Sequence, residues 1–351
     1  MNSRSTSLTI VAAVAAGVAL YFAQEIFIPI ALGLMFTSLF RPVVRGLARI
    51  QIPAPVGATV VTLGFLGLFA AGGYFAVGPI QGWVRDAPKT LATARGKIDK
   101  LRQPIKQVSQ AVEKAQKEVT GGEQQQGKQA QSAAPSSGSS VPPVLGRVFA
   151  TTAGILSTLL QTIVIMFLVL GTGDLMARKL AVVLPKQASG TPQQTVDEAE
   201  SVVRRYMVVT LLLSGGQAII IALIFSVIGM PSPMLWGILT FLLESLPYIG
   251  ALIMVAAVGV TAFATFEGIG QILLPPLAYI TVSTIQNNVV SPFAYGSGLQ
   301  LNPLAVLLVV VAGWFLWGVA GAFVAVPVLA AIKIFAERAS PNSRLAAVLG
   351  D

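Results

Sequence analysis

The chain has 351 residues, 54% of them hydrophobic and 11% charged, whereas about a quarter of the residues in soluble domains are charged. This composition excludes an ordinary soluble globule and predicts an all-α, polytopic membrane protein, since several apolar runs approach or exceed the roughly 20 residues that cross a bilayer core. The net charge of +9 does not indicate a nucleic-acid partner, because the basic residues flank apolar spans and form no patch with aromatic residues.

Eight membrane spans are predicted in chain order. They are Leu8–Ala23, Ile26–Phe40, Val56–Val77, Thr151–Leu170, Tyr206–Ile228, Leu235–Phe266, Ile269–Val290 and Pro303–Ile332. The first could be read as a signal peptide, but a second apolar run follows at once, which favours an uncleaved span. One long kinked helix over the first two spans is an alternative. The sixth and eighth spans are interrupted by proline and glycine, so each can be a tilted helix, two half-helices or a re-entrant hairpin.

The spans divide the chain into three regions: 1–79 with the first three spans, 80–147 outside the membrane, and 148–351 with the other five. In the middle region, apolar residues from Leu91 to Val119 recur in alternating steps of three and four, as in a coiled-coil seam. Pro104 should kink or divide this helix, and a linker rich in Gln, Gly and Ser follows. The helix can pack on its own protein or on the membrane surface, or it can form an oligomer contact.

The distribution of Lys and Arg predicts that both termini lie in the cytoplasm. The short outer loops Met230–Met234 and Ser291–Asn302 contain neither residue type. Eleven basic residues lie between Ile80 and Ala150, in an outer segment long enough to be exempt from the rule. The others fall in the segments that would be inside, among them Arg41, Arg45, Arg49, Arg204, Arg205 and Arg338. Folding one long span into a hairpin would move the C-terminal charges outside, unless another span changed too.

Glu244 is the first candidate for the functional site. It is the only charged residue between Met234 and Phe266, and a charge at that depth costs roughly 2–3 kcal/mol on insertion scales. Pro247 removes a backbone donor beside it, and unpaired backbone survives there only when it is buried in protein or faces a watery cavity. We therefore predict a transport site in which Glu244 titrates; the alternative is a carboxyl group that only joins neighbouring helices. Tyr248 can bind substrate or anchor the interface, and Gly250 allows close backbone approach.

A group of amides in the seventh and fifth spans is the second candidate. Gln286, Asn287 and Asn288 stand together before Pro292, and Gln217 lies in the fifth span. Amides suit an uncharged polar solute, which needs hydrogen bonds and no counter-charge. For any one of them a hydrogen bond between helices is the simpler explanation, whereas the group favours a pathway.

Signatures of catalysis are missing from the sequence. The chain contains no cysteine and no histidine, and its carboxylates do not cluster as a zinc site would require. It has no phosphate-binding loop that ends in Gly-Lys-Ser/Thr. We therefore expect no cofactor, no metal and no enzymatic activity, and any proton relay must use carboxylates, water or tyrosine.

Three blocks of residues stand in a specific order and spacing. They are Glu244, Pro247, Tyr248, Ile249 and Gly250; then Gln286, Asn287 and Asn288 with Pro292 and Gly296; and then Leu301, Pro303 and Leu304 with Gly313, Gly318, Gly321 and Pro327. Together they resemble the autoinducer-2 exporter family of bacterial membrane proteins, which also contains a permease and sodium–proton antiporters. Phe293 stands where the family often has a basic residue, so the substrate of this chain can differ.

The resemblance implies a homo-oligomeric exporter of small solutes in the bacterial inner membrane, with a role in quorum sensing. It also implies that the glycines and Pro327 of the third block, together with Gly296, are hinge or packing positions. Taken with the residues, it predicts a secondary-active exporter of a small polar solute that is coupled to protons through Glu244. Sodium (or lithium)–proton antiport is the alternative within transport. A membrane scaffold or sensor that does not transport is the alternative outside it.

Overall fold

The computed structural model describes residues 17–119, 143–173, 191–295 and 301–339, together with 11, 15, 175 and 179. These residues contain no strand, and the prediction of an all-α fold is confirmed. The helices are α1 Gln24–Arg49, α2 Ala54–Val119, α3 Pro143–Gly171, α4 Pro192–Ile228, α5 Pro233–Glu244, α6 Ile249–Thr265, α7 Ile269–Ile285, α8 Ser291–Tyr295 and α9 Pro303–Ala339, with a π-helical segment, Gln286–Val290, between α7 and α8.

Five of these helices are long and apolar enough to cross a membrane by length and composition: Gln24–Arg49, Ala54–Asp99, Gly154–Gly171, Pro192–Ile228 and Pro303–Arg338. Helices α5 and α6 are apolar but shorter. Of the first predicted span, residues 11, 15 and 17–23 are described; residues 17–22 are helical and the chain turns at Ala23. Helix α2 runs from Ala54 to Val119 without being divided at Pro104, and most of the Gln-rich linker lies outside the described residues.

The sixth predicted span is two half-helices that turn back on each other. Helices α5 and α6 have 12 and 17 residues, so they are about 18 Å and about 26 Å long. Both are shorter than a bilayer core of about 30 Å. A Cβ atom on Gly250 would collide with the carbonyl oxygen of Leu243, although seven residues of continuous helix would separate the two by about 10 Å. The chain therefore reverses over Ser245–Tyr248, and we call α5 and α6 the first hairpin.

Both ends of the first hairpin lie at the same end of the bundle. Met230, which precedes α5, and Ala262, near the end of α6, belong to one buried apolar cluster. The Lys97 Nζ atom of α2 donates hydrogen bonds of 2.9 and 2.7 Å to the carbonyl oxygens of Phe263 and Phe266. Both ends of the first hairpin thus lie on the side of the bundle where α2 continues past its apolar part. We call this side the arm end.

Helix α9 is also folded into a hairpin. Its helical geometry breaks at Trp317 and at Gly318, where φ is 61° and ψ is −140°. A Cβ atom on Gly313 would lie 2.6 Å from the carbonyl oxygen of Gly321 and 3.2 Å from the Cβ atom of Ala325. In a continuous helix Gly313 and Gly321 would be about 12 Å apart. The close approach therefore requires a reversal, and α9 forms the second hairpin.

The second hairpin opens toward the opposite end of the bundle. Leu301 and Ala331, which flank its two arms, pack against one cluster that contains Val203 and Tyr206 of α4. Near its end, Arg338 forms an ion pair with Glu198 in the first turns of α4. We call this side the basic end, because the arginines near the ends of α1 and α9 and at the beginning of α4 lie there: Arg41, Arg45, Arg49, Arg204, Arg205 and Arg338.

The two hairpins resolve the choice that the sequence left open for the interrupted spans. A single hairpin would reverse the direction of every later element, but two hairpins that open toward opposite ends cancel each other. The end of α9 consequently lies beside the beginning of α4, as the Arg338–Glu198 distance of 2.7 Å requires. The arginines near the ends of α1 and α9 and in the first half of α4 therefore stay together at one end of the bundle.

Labelling of single cysteines tests the second hairpin, because the chain has no cysteine of its own. Asn302→Cys and Glu337→Cys flank the two arms, and we expect a membrane-impermeant maleimide to modify both from the same side of sealed vesicles. Ser232→Cys, in the exposed turn between α4 and α5, should be modified from the other side. Modification of Asn302→Cys and Glu337→Cys from opposite sides would show that α9 crosses the membrane as one span.

Candidate functional site

Glu244 accepts hydrogen bonds from three neutral side chains. Its Oε2 atom lies 3.4 Å from Gln217 Nε2 and 3.3 Å from the Tyr279 hydroxyl. Its Oε1 atom lies 3.4 Å from Gln286 Nε2. The donors come from α4, α7 and the π-helical segment, so the carboxyl group joins three elements to the tip of the first hairpin. We call these four residues the Glu244 site.

The tip of the first hairpin places Glu244 at the end of a helix. Pro247 has no N–H group and cannot continue an α-helix, and Tyr248 adopts a φ of 64°, which few residues other than glycine tolerate. Glu244 is therefore the last residue of α5, where the helix dipole presents its negative end. The carboxyl group gains no stabilisation from its own helix and depends on the donors of the neighbouring ones.

A π-helical segment begins at the amide that faces Glu244. Over Gln286–Val290 the helix widens, and the N–H group of Ser291 bonds to the carbonyl oxygen of Gln286. Pro292 explains the widening, because its ring cannot approach the carbonyl group four residues earlier. Such π-bulges are frequent at functional sites. Gln286, at the beginning of this segment, is buried.

The two amides that follow Gln286 face elsewhere. Asn287 and Asn288 are exposed. Asn288 donates a 2.9 Å hydrogen bond to the carbonyl oxygen of Thr284, and the nearest partner of Asn287 is Ser283 Oγ at 3.4 Å. Both partners belong to α7, so the three adjacent amides divide into one that reaches Glu244 and two that bond along their own helix.

Gln217 has an unsatisfied acceptor beside the carboxyl group. The residue is 1% exposed, and its Oε1 atom has no hydrogen-bond partner among the described residues. Buried polar atoms are normally paired, and an amide oxygen pairs with a hydrogen-bond donor or a cation. The Glu244 site is thus equipped to accept one more donor at this oxygen.

Two apolar clusters enclose the Glu244 site along the bundle. The arm-end cluster consists of Ile221, Phe225, Met230, Trp236, Met254, Val258, Ala262 and Tyr279. The basic-end cluster consists of Met35, Val203, Tyr206, Met207, Leu246, Val310, Ala322, Val324, Ala325 and Val326. Leu243, directly before Glu244, packs against both. The carboxyl group therefore lies where the two clusters meet.

A small cavity of about 10 Å³ lies on the basic-end side of the hairpin tip. Its lining includes Ser245 of the tip, Thr210 of α4, and Phe323 and Pro327 of the second hairpin. The Tyr295 hydroxyl is 2.8 Å from Thr210 Oγ1. The cavity thus lies between the two hairpins, one residue away from Glu244 in sequence.

Not all residues that the sequence suggested come together. Gln217 and Gln286 contact Glu244, but the Tyr248 side chain is 53% exposed and is not hydrogen-bonded to Glu244. Pro292 is also exposed. The glycines of the third block form the second hairpin: Gly313 and Gly321 contact each other, and Gly318 makes the turn. Gly296 lies outside the described residues. The described part of the chain has no group of acidic residues that could hold a metal ion.

Sequence reasoning missed Tyr279, which is fully buried and donates to Glu244. It is the one tyrosine of the seventh predicted span and precedes Gln286 by seven residues. Residues seven apart lie on the same face of a helix, so this spacing was the available signal.

Comparisons with known proteins agree with this architecture. The model of the AI-2E family transporter matches residues 9–340. Among curated proteins, the chain is 27% identical to the provisionally named transport protein YrrI of Bacillus subtilis over 42% of this chain and 40% of that protein. It is 30% identical to YhhT of Escherichia coli K12 over 42% of each. It is 22% identical to a transport protein of Borreliella burgdorferi over 59% of this chain and 58% of the relative.

The alignments span between two fifths and three fifths of these relatives, so they support the class of protein more than any particular substrate. The family model, in contrast, extends over nearly the whole chain. The chain therefore belongs to the AI-2E family of membrane transporters.

Proposed function

We propose that the protein is a secondary-active exporter of a small, uncharged polar solute and that Glu244 couples the export to protons. The observation that supports this proposal is a carboxyl group held by three neutral donors between two apolar clusters. Ionisable residues at such depth commonly serve transport or proton movement. The proposed setting is the bacterial inner membrane, with the basic end and both termini in the cytoplasm.

Glu244 can change its protonation state without breaking an ion pair. Its hydrogen-bond partners among the described residues, Gln217, Tyr279 and Gln286, are neutral. When the carboxyl group is ionised it accepts their N–H and O–H groups. When it is protonated it becomes a donor, and a half-turn of the Gln217 amide would present the free Oε1 atom to it. The same site can therefore satisfy both states.

Transport requires that the two apolar clusters separate in turn. Opening the basic-end cluster would connect the cavity beside Ser245 with the cytoplasm, and opening the arm-end cluster would release the solute on the other side. A proton or solute can drive this exchange only if it binds the two states with different affinity. The neutral amide and hydroxyl groups suit a solute that forms hydrogen bonds and has no net charge.

Removing the titration of Glu244 tests the coupling. Glu244→Gln preserves the size and shape of the side chain and removes its titration, so we expect autoinducer-2 flux into inside-out vesicles to lose its dependence on pH while assembly is unchanged. Glu267→Gln is the control, because Glu267 is an exposed carboxylate beyond the end of α6, and its pH profile should match the parent. Unaltered pH-dependent flux in the Glu244→Gln variant would remove Glu244 from the mechanism.

A pair of amide variants tests whether the site itself matters. Gln286→Leu deletes a buried donor to Glu244, and losing a partner of a buried charged group costs about 1–3 kcal/mol, so we expect transport to fall roughly tenfold. Asn288→Leu removes an amide two residues away that is exposed and bonds to its own helix. It should retain most of the flux at equal expression, and an equal loss in both variants would argue against a special role of Gln286.

Cation–proton antiport is a second candidate, and the free Gln217 oxygen favours it. That oxygen and the two carboxylate oxygens of Glu244 are neutral and anionic ligands of the kind that hard cations prefer. Imposing a sodium gradient on proteoliposomes that contain a pH-sensitive dye distinguishes the two candidates. Antiport predicts an internal pH change that depends on sodium and is lost in Glu244→Gln; a solute exporter predicts no pH response to sodium alone.

A further inference from the structure

Two ion pairs hold the beginning of α4 at the basic end. Glu198 and Glu200 both lie in the first turns of α4, and each pairs with an arginine from a different element: Glu198 with Arg338 of α9, and Glu200 with Arg41 of α1. Residues two apart in a helix point to nearly opposite faces. Helix α4 is therefore fastened between α1 on one side and the second hairpin on the other.

The two pairs differ in burial. Arg41 and Glu200 have side-chain exposures of 5% and 20%, and those of Arg338 and Glu198 are 34% and 39%. Breaking the first pair would leave a buried charge without its partner, which is strongly unfavourable. The second pair is partly solvated, and ion pairs of that kind contribute little and break readily. The Arg41–Glu200 pair thus suits a permanent fastening and the Arg338–Glu198 pair a reversible one.

The fastened elements are those that close the basic end. Met35 of α1, Val203 of α4 and Val324 of α9 all belong to the basic-end cluster. Val203 follows Glu200 by one helical turn, so a displacement at the ion pairs reaches the cluster directly. Three residues of this cluster also line the cavity beside Ser245: Met35, Tyr206 and Met207.

We infer that the Glu198–Arg338 pair is a latch that keeps the Glu244 site closed toward the basic end, while Arg41–Glu200 anchors α4 to α1. The latch positions the second hairpin against α4 and does not itself touch the solute. Opening toward the basic end requires α9 to move away from α4, and the pair must separate when it does. This inference rests on the alternating access that we propose for the function.

The accessibility of a single cysteine measures the latch without any transport assay. Ser245→Cys, in an otherwise cysteine-free chain, places a thiol at a residue that is 8% exposed and lines the cavity. In inside-out vesicles we expect a small methanethiosulfonate reagent to modify this thiol at least threefold faster when Glu198→Gln is added. The charge-swapped variant Glu198→Arg with Arg338→Glu should restore the slow rate.

Glu337→Gln provides the matched control. Glu337 pairs with Lys333 at 3.7 Å within the same helix, so its removal changes the charge beside Arg338 without releasing one element from another, and the modification rate should stay at the parent value. Thermal unfolding of each variant, followed in detergent, distinguishes a latch from a general loss of stability, because Glu198→Gln should accelerate modification with a melting temperature close to the parent.

Three results would overturn the latch: an unchanged rate in Glu198→Gln, a fast rate that the charge swap does not slow, or an equal acceleration by Glu337→Gln. Arg338→Lys keeps the charge but loses the two-atom contact of Nε and Nη2 with Glu198 Oε2, and an intermediate rate is expected. If Glu244→Gln keeps its pH-dependent flux while the latch variants behave as described, the proton coupling fails and the latch remains.

Discussion

The structure depends on keeping one carboxyl group inside an apolar bundle where the described residues give it no positively charged partner. Glu244 has Gln217, Tyr279 and Gln286 as its hydrogen-bond donors, and each must come from a different element because α5 ends at Glu244 itself. A continuous helix through this region would have carried the side chain past these donors. The chain reversal in the first hairpin and the π-helical segment both interrupt regular helical structure. The hydrogen bonds from the buried donors to Glu244 offset the free-energy cost of these interruptions.

The two hairpins connect this site to both ends of the bundle. Leu246, at the tip of the first hairpin, packs in the same cluster as Val310 and Val324 from the two arms of the second. Lys97 holds the far end of the first hairpin through the carbonyl groups that a helix end leaves unpaired. A shift of either hairpin must consequently repack the residues that adjoin Glu244, which is the physical basis for coupling the site to the two faces.

The sequence predicted the all-α fold and pointed to Glu244, Gln217 and Gln286, because hydropathy and an isolated charge are local signals. It left the course of the interrupted spans open, since hydropathy measures the length of an apolar run and not its direction. The reversal of α9 depends on contact between Gly313 and Gly321, which is tertiary information. Periodicity does place Gln286 on the same helix face as Tyr279, but Tyr279 lies in an apolar run and has no local signal of its own, so the sequence did not separate Gln286 from Asn288.

The polar contacts around Glu244 differ in kind from those at the basic end, and the two kinds respond to different changes. Around Glu244 the partners are neutral, so gaining or losing a proton disturbs hydrogen bonds but breaks no ion pair. At the basic end the contacts are ion pairs, Arg41–Glu200 and Arg338–Glu198, which depend on both charges and on the positions of whole helices. A change of protonation inside can thus remain local until the hairpins move, and the ion pairs then determine how readily that movement opens the basic end.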